Sequence, residues 1–163
     1  MNNKIIIAVD AMGGENSPKK IVDGIEISLK ESNENFFRLY GNKDKLNFLV
    51  NKKSEIKKYC EIIHCDNHIE DEESPLSAAK KSKSTSMWQS IESQNTNKSQ
   101  ITLSAGNTGA LLVLSRLILK MIDGIEKPAL AGLWPNKIGM NVVLDLGANI
   151  ACNDKDLIDF SSM

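Results

Sequence analysis

The chain alternates short apolar runs with longer amphipathic stretches. Lys4–Asp10 (KIIIAVD) is β-branched and continuously apolar, the pattern of a strand buried on both faces. Ala11–Ser17 (AMGGENS) is a glycine-bearing turn, and Ser17-Pro18 reads as N-cap and first helical residue. Ile21, Val22, Ile25 and Leu29 follow at helical spacing. The unit then recurs. Phe36–Gly41 is strand-like, Lys43–Lys53 a polar helix, Tyr59–Cys65 a third strand and Asp66–Ser74 an acidic loop. Pro75–Gln94 reads as one helix opened by Ser74-Pro75. Gln100–Ser104 is a fourth strand, Ala105–Gly109 a turn and Ala110–Ile122 an apolar helix that expects neighbours on every side. Ala129–Trp134 and Asn141–Leu146 read as further strands, Gly147–Cys152 as a turn, and a last helix starts near Asp154.

Strands alternating with helices predict one α/β domain over residues 1–163, a parallel-rich three-layer sandwich. Ile5–Val9, Ile101–Leu103 and Val142–Leu144 are expected as its central strands. Right-handed crossovers place strand-to-helix turns on one sheet edge, where ligands bind in open α/β folds. AMGGENS, SAGNTGA and DLGANIA are therefore expected to converge there.

The SAGNTGA turn, Ser104–Ala110, carries the strongest chemical signal. It joins a strand to a helix whose free N–H groups and dipole favour an anion. Gly106 and Gly109 allow close approach, while Asn107 and Thr108 add polar groups; the bland alternative is a tight turn with Thr108 as N-cap. No Walker A loop and no GxGxxG is present. Asp10 ends the first strand before Gly13 and Gly14, as either a ligand-bracing carboxylate or one bonded to its own turn. Asp145 and Asn149 repeat that pattern later. Lys80, Lys81 and Lys83 with Ser84-Thr85-Ser86 offer donors to phosphate, or simply a solvated helix face. His64, Cys65, Asp66 and His68 match no zinc spacing, so no metal is expected. No GxSxG elbow supports a serine nucleophile.

Composition narrows the classes further. A net charge of -1 gives no global field for nucleic acid or membrane. Of 20 basic residues only Arg38 and Arg116 are arginine, so lysine runs carry less meaning than usual. Three cysteines without a CxxC pair favour reduced thiols in a cytoplasmic protein. The apolar N-terminal run is too short for a signal peptide core, and Ala110–Ile122 is too short to span a bilayer.

Taken in order, AVDAMGGEN, Pro75-Leu76 with Lys80-Lys81 and Ser84–Met87, SAGNTGALL, GIEKPAL and VVLDLGAN resemble the PlsX-type phosphate acyltransferases over essentially the whole chain. Two positions depart: Glu15 stands where the family usually has Asp, and Thr85 where Ser is common. The resemblance implies an isopropylmalate-dehydrogenase-like fold, a homodimer, no cofactor, and transfer of a fatty acyl group from acyl-(acyl carrier protein) to inorganic phosphate. That step feeds phospholipid synthesis, with the enzyme soluble but peripheral at the inner membrane surface. On that reading Asn107, Thr108 and Lys81 are the catalytic candidates. Gly13, Gly14, Ser84, Gly106, Gly109 and Asn149 are expected to bind phosphate, and Asp10 and Asp145 to brace the loops. The family architecture continues past DLGAN, so the chain is expected to be an N-terminal portion, inactive or nearly so alone, with membrane contact made by the remainder. A phosphate-acetyltransferase-like enzyme using acyl-coenzyme A and a non-catalytic remnant are the competing expectations.

Overall fold

The computed structural model describes residues 4–163 apart from 148, and leaves aside the side chains of 76, 81 and 82. Two compact units divide the chain, Met1–Leu119 and Lys120–Met163.

The first unit is an α/β layer structure. Strands β1 (Ile5–Asp10), β2 (Asn35–Gly41), β3 (Cys60–His64) and β4 (Ile101–Ser104) form one sheet in the order β3-β2-β1-β4, every pair parallel. Helices α1 (Lys19–Glu31), α2 (Lys43–Val50) and α3 (Ser54–Lys57) cover one face. There Val9, Phe37 and Leu39 bury against Val22 and Ile25 of α1, Leu46 and Val50 of α2, and Ile56 of α3. Alternation turns Ala8, Asp10 and Tyr40 to the other face. Helix α5 (Ser86–Asn95) packs on that face, backed by α4 (Pro75–Lys81) and α6 (Thr108–Leu119). The parallel sheet with helices on both faces is the architecture the sequence pattern predicts.

Three local expectations change. The helix read over Pro75–Gln94 is broken by a 3-10 turn at Ser82–Ser84. Thr85 leaves helical geometry and caps α5, accepting from the Trp88 N–H at 3.3 Å. Asn67 holds the break open from outside: its N–H donates to the Ser84 carbonyl and its carbonyl accepts from the Ser86 N–H. Next, α6 buries a single stripe, Ala110, Leu114 and Ile118, against Met87, Trp88 and Ile91, while Leu117 is exposed. Lastly, β4 is an edge strand of the described sheet, and Val142–Leu144 is not a central parallel strand.

In the second unit, β5 (Ala131–Asn136) and β6 (Gly139–Leu144) form an antiparallel hairpin. The cause is a side-chain turn. Asn136 Oδ1 accepts from the Ile138 N–H at 2.8 Å and its Nδ2 donates to Asn141 Oδ1, so the chain reverses over two residues. Helix α7 (Asp154–Ser162) opens with a capping box between Asn153 and Asp156. Asp156 is buried and accepts from Lys127 Nζ at 2.6 Å, which holds its carboxyl below the usual range. Among the described residues no helix is long and apolar enough to cross a membrane.

Helix α1 is tied to the α3 segment by charge. Lys53 Nζ donates to Asp23 Oδ1 at 2.8 Å and to Glu26, and Lys19 donates to Asp23 at 2.5 Å. The hydrogen bonds from Lys19 and Lys53 hold the Asp23 carboxyl down at about 2, and Lys53 holds Glu26 low as well. Groups depressed in the folded chain contribute above their unfolded pKa, near 4, and lose that contribution as pH falls towards the folded value. Urea unfolding of the wild type and Lys53→Met should therefore show a stability gap that is flat from about pH 5 to 7 and shrinks below about pH 4. A gap independent of pH would mean that these pairs do not couple to folding.

Candidate functional site

The site begins with strand register. In the β1–β4 ladder Asp10 lies opposite Ser104, so both point to the face covered by α5. Asp10 is only 1% exposed, a position where an unpartnered carboxyl would be costly. Its partners come from three places. Ser86 Oγ, in the first turn of α5, donates to Oδ1 at 2.6 Å. Ser104 Oγ donates to Oδ2 at 2.8 Å. The Met12 N–H turns back to Oδ1 at 3.3 Å. One carboxyl thus fastens the end of β1, the end of β4 and the start of α5.

The two glycine turns follow directly. Ser104 Oγ also accepts from the Gly106 N–H at 3.2 Å, which folds the SAGNTG turn back over the strand end. Gly13 and Gly106 then meet backbone to backbone. A Cβ on Gly106 would lie 2.9 Å from the Gly13 Cα, and one on Gly13 would lie 2.6 Å from Asp10 Oδ2. Gly14 has φ +85 and its Cα faces the Ala105 carbonyl, a conformation and a contact that exclude other side chains. In the sequence these glycines suggest close approach to a ligand; in the structure much of that approach is of one turn to the other.

Asn107 is hydrogen-bonded through both ends of its side-chain amide. Its Oδ1 accepts from the Ala110 N–H at 2.9 Å, which makes it, and not Thr108, the cap of α6. Its Nδ2 donates to the carbonyls of Asp71 and Glu73, both at 2.8 Å. The amide is therefore engaged at both ends and ties the acidic loop to α6. Gly109 sits against Pro75, the first residue of α4. Thr108 is exposed at the helix start, and the Thr108 and Gly109 N–H groups meet no acceptor among the described residues. Ser84 Oγ accepts from Asn67 Nδ2 at 2.9 Å, which leaves its own proton available. The Lys81 side chain lies outside the described residues.

Asp145 and Asn149 belong to the second unit. Asp145, at φ 58, accepts through Oδ1 from both the backbone and the side chain of Asn149, and Asn149 Nδ2 also reaches the Pro128 carbonyl. Cys152 Sγ approaches Asp145 Oδ2 at 3.3 Å. Sequence reasoning missed Ser86, Ser104 as a carboxyl partner, and Asn67. The Ser84-Thr85-Ser86 run was the available signal for the first. Cys65, buried on the α5 face, is no nucleophile at neutral pH: burial first, then the Asp10 charge, push its thiol up to about 12.

The turn-to-turn contact makes a direct prediction. Gly106→Ala should destabilise the chain by about 1–3 kcal/mol, because the atoms a methyl group meets are backbone and cannot swing aside. Gly24→Ala, inside α1 with nothing near its Cβ direction, should stabilise by about 0.5–1 kcal/mol. Urea midpoints of the two variants should therefore move in opposite directions.

Comparison with known proteins assigns the chain to a family. A family model described as fatty acid synthesis protein matches residues 5–163. The phosphate acyltransferase of Pelagibacter ubique is 54% identical over 163 residues, all of this chain and 48% of the relative. Those of Rhodospirillum rubrum and Caulobacter vibrioides are each 37% identical over the whole chain, covering 47% and 45% of their own lengths. The chain thus spans about half the length of the curated relatives it matches. It belongs to the fatty acid synthesis protein family, that of the PlsX-type phosphate acyltransferases whose ordered motifs it carries.

Proposed function

We propose that this chain supplies the phosphate-holding part of an acyltransferase that moves a fatty acyl group from acyl-(acyl carrier protein) to inorganic phosphate. The observation that carries the reading is the start of α6. Its first N–H groups and the Thr108 hydroxyl stand open beside a glycine junction fixed by Asp10, Ser86 and Ser104. A helix N-terminus of this kind favours a dianion. The relatives, phosphate acyltransferases, suggest the reaction class.

The chemistry needs little from the protein beyond placement. Phosphate is largely ionised near neutral pH and attacks the thioester carbonyl through an oxygen. The tetrahedral oxyanion collapses, the C–S bond breaks, and the carrier protein leaves as a thiolate that takes a proton from solvent. The products are an acyl phosphate and free carrier protein. Donors aimed at phosphate or at the oxyanion lower the barrier by orientation and charge stabilisation. Thr108, Gly109 and Ser84 are the donors in this reading, with Lys81 adding positive charge. Asn107 and Asp10 hold the donors in place. Asn149 and Asp145 brace a second loop of the same protein. Residues 1–163 act here as one α/β portion of a longer homodimeric protein that contacts the inner membrane surface peripherally.

Thr108 gives the cleanest test, because it is exposed and its loss spares the core. Thr108→Val should weaken phosphate binding by about tenfold, the worth of one hydrogen bond to a charged group. Calorimetric titration of residues 1–163 with phosphate reads this directly. Acyl phosphate release from acyl-carrier-protein and acyl-coenzyme A donors should be followed in parallel, with the remaining half of the Pelagibacter ubique relative supplied in trans. Phosphate binding unchanged in Thr108→Val would remove α6 from the site. A preference for the coenzyme A donor would move the protein to the phosphate-acetyltransferase class.

A further inference from the structure

We propose that the groove between the start of α1 and helix α2 receives the alkyl chain of the acyl donor, an inference that rests on the acyl-transfer reading above. Ser17 and Pro18 form one wall, Phe48 and Leu49 the other, with Lys19, Asp44 and Lys45 alongside. The groove is shallow and open to solvent, with room of about 460 Å³, and its surface is mostly carbon. That volume falls within the range of sites that hold small organic ligands. Phe48 is 63% exposed, an apolar aromatic ring facing water, with the Lys52 ammonium 3.7 Å from its centre.

Position selects the occupant. Ser17 Oγ donates to the Gly13 carbonyl at 2.6 Å, and Gly13 is the residue that abuts Gly106. The groove wall is therefore one hydrogen bond from the glycine junction where the thioester would react. Helix α2 starts just after β2, whose Tyr40 pairs in register with Asp10, so its first turn lies on the same sheet edge. A thioester held at the junction has its alkyl chain leaving the carbonyl carbon, and this groove offers it apolar surface beyond Ser17. Lys45 and Asp44 both border the groove and offset each other in charge, so its apolar wall and its place beside the glycine junction select the occupant.

The test uses straight-chain carboxylates, hexanoate, decanoate and tetradecanoate, titrated into residues 1–163 below their aggregation concentrations. Affinity should rise with length, by roughly two- to fourfold per added methylene that reaches the groove. Phe48→Ser and Phe48→Glu remove an exposed ring, so far-ultraviolet circular dichroism should match the wild type, and decanoate affinity should fall at least about tenfold. Length-independent binding, or equal decanoate affinity in all three proteins, overturns the proposal. So does a change in sedimentation on Phe48→Glu with decanoate binding intact, which would assign the groove to a second copy of the chain. Phosphate titration of the wild type separates the two readings. A chain that ignores phosphate yet binds decanoate through Phe48 sinks the acyl phosphate reaction and leaves the groove as an alkyl site.

Discussion

Asp10 is where the first unit is fastened. A carboxyl buried to this degree persists only if donors replace the water it has lost, and here they come from Ser86, Ser104 and the Met12 N–H. The two serines are 76 and 94 residues away in sequence. Neither contact can form until β1 and β4 are in register and α5 has docked on the sheet. Losing one serine would leave part of a buried acceptor unmet, a cost of about 1–3 kcal/mol. The network therefore links secondary structures that the hydrophobic core alone would let slide.

The glycines are explained by the same fastening. Once Asp10 and Ser104 are paired, the turns that follow them must cross at close range. Gly13 and Gly106 let two backbones touch where side chains would collide. This compact crossing leaves the α6 N-terminus standing at the sheet edge with its first N–H groups unspent. A site for an anion thus arises from a packing requirement and needs few additional side chains. It also explains why Asn107 turns inward: the cap and the tether to the Asp71 and Glu73 carbonyls hold the helix start against the acidic loop.

Much of this was legible in the sequence because it rests on local signals. The apolar run at Ile5–Val9, the paired glycines and Ser74-Pro75 each act within a few residues, and they predict β1, a turn and the start of α4. What was not legible depends on contacts between distant segments. The break after Lys81 needs the Asn67 backbone to satisfy Ser84 and Ser86, which no helical periodicity reports. The hairpin of β5 and β6 turns on the Asn136 side chain; apolar content alone makes Val142–Leu144 look like an inner strand, although Val142 is 64% exposed. The Ser84-Thr85-Ser86 run attracted notice for its hydroxyls, but choosing Ser86 over Ser84 as the Asp10 partner requires knowing where α5 begins.

Register shows how tightly fold and site are coupled. Shifting β4 by one residue against β1 would place Leu103 or Ala105 opposite Asp10 and send Ser104 to the face of α1 and α2. The Asp10–Ser104 hydrogen bond would be lost, a hydroxyl would enter an apolar layer, and Gly106 would no longer meet Gly13. Each penalty falls on Asp10, Ser104, Gly13 or Gly106, the residues of the glycine junction. A misregistered sheet is therefore disfavoured by the atoms that form the candidate site. Substitutions there should alter stability and ligand binding together, whereas Thr108, exposed and outside the network, lets binding be changed alone.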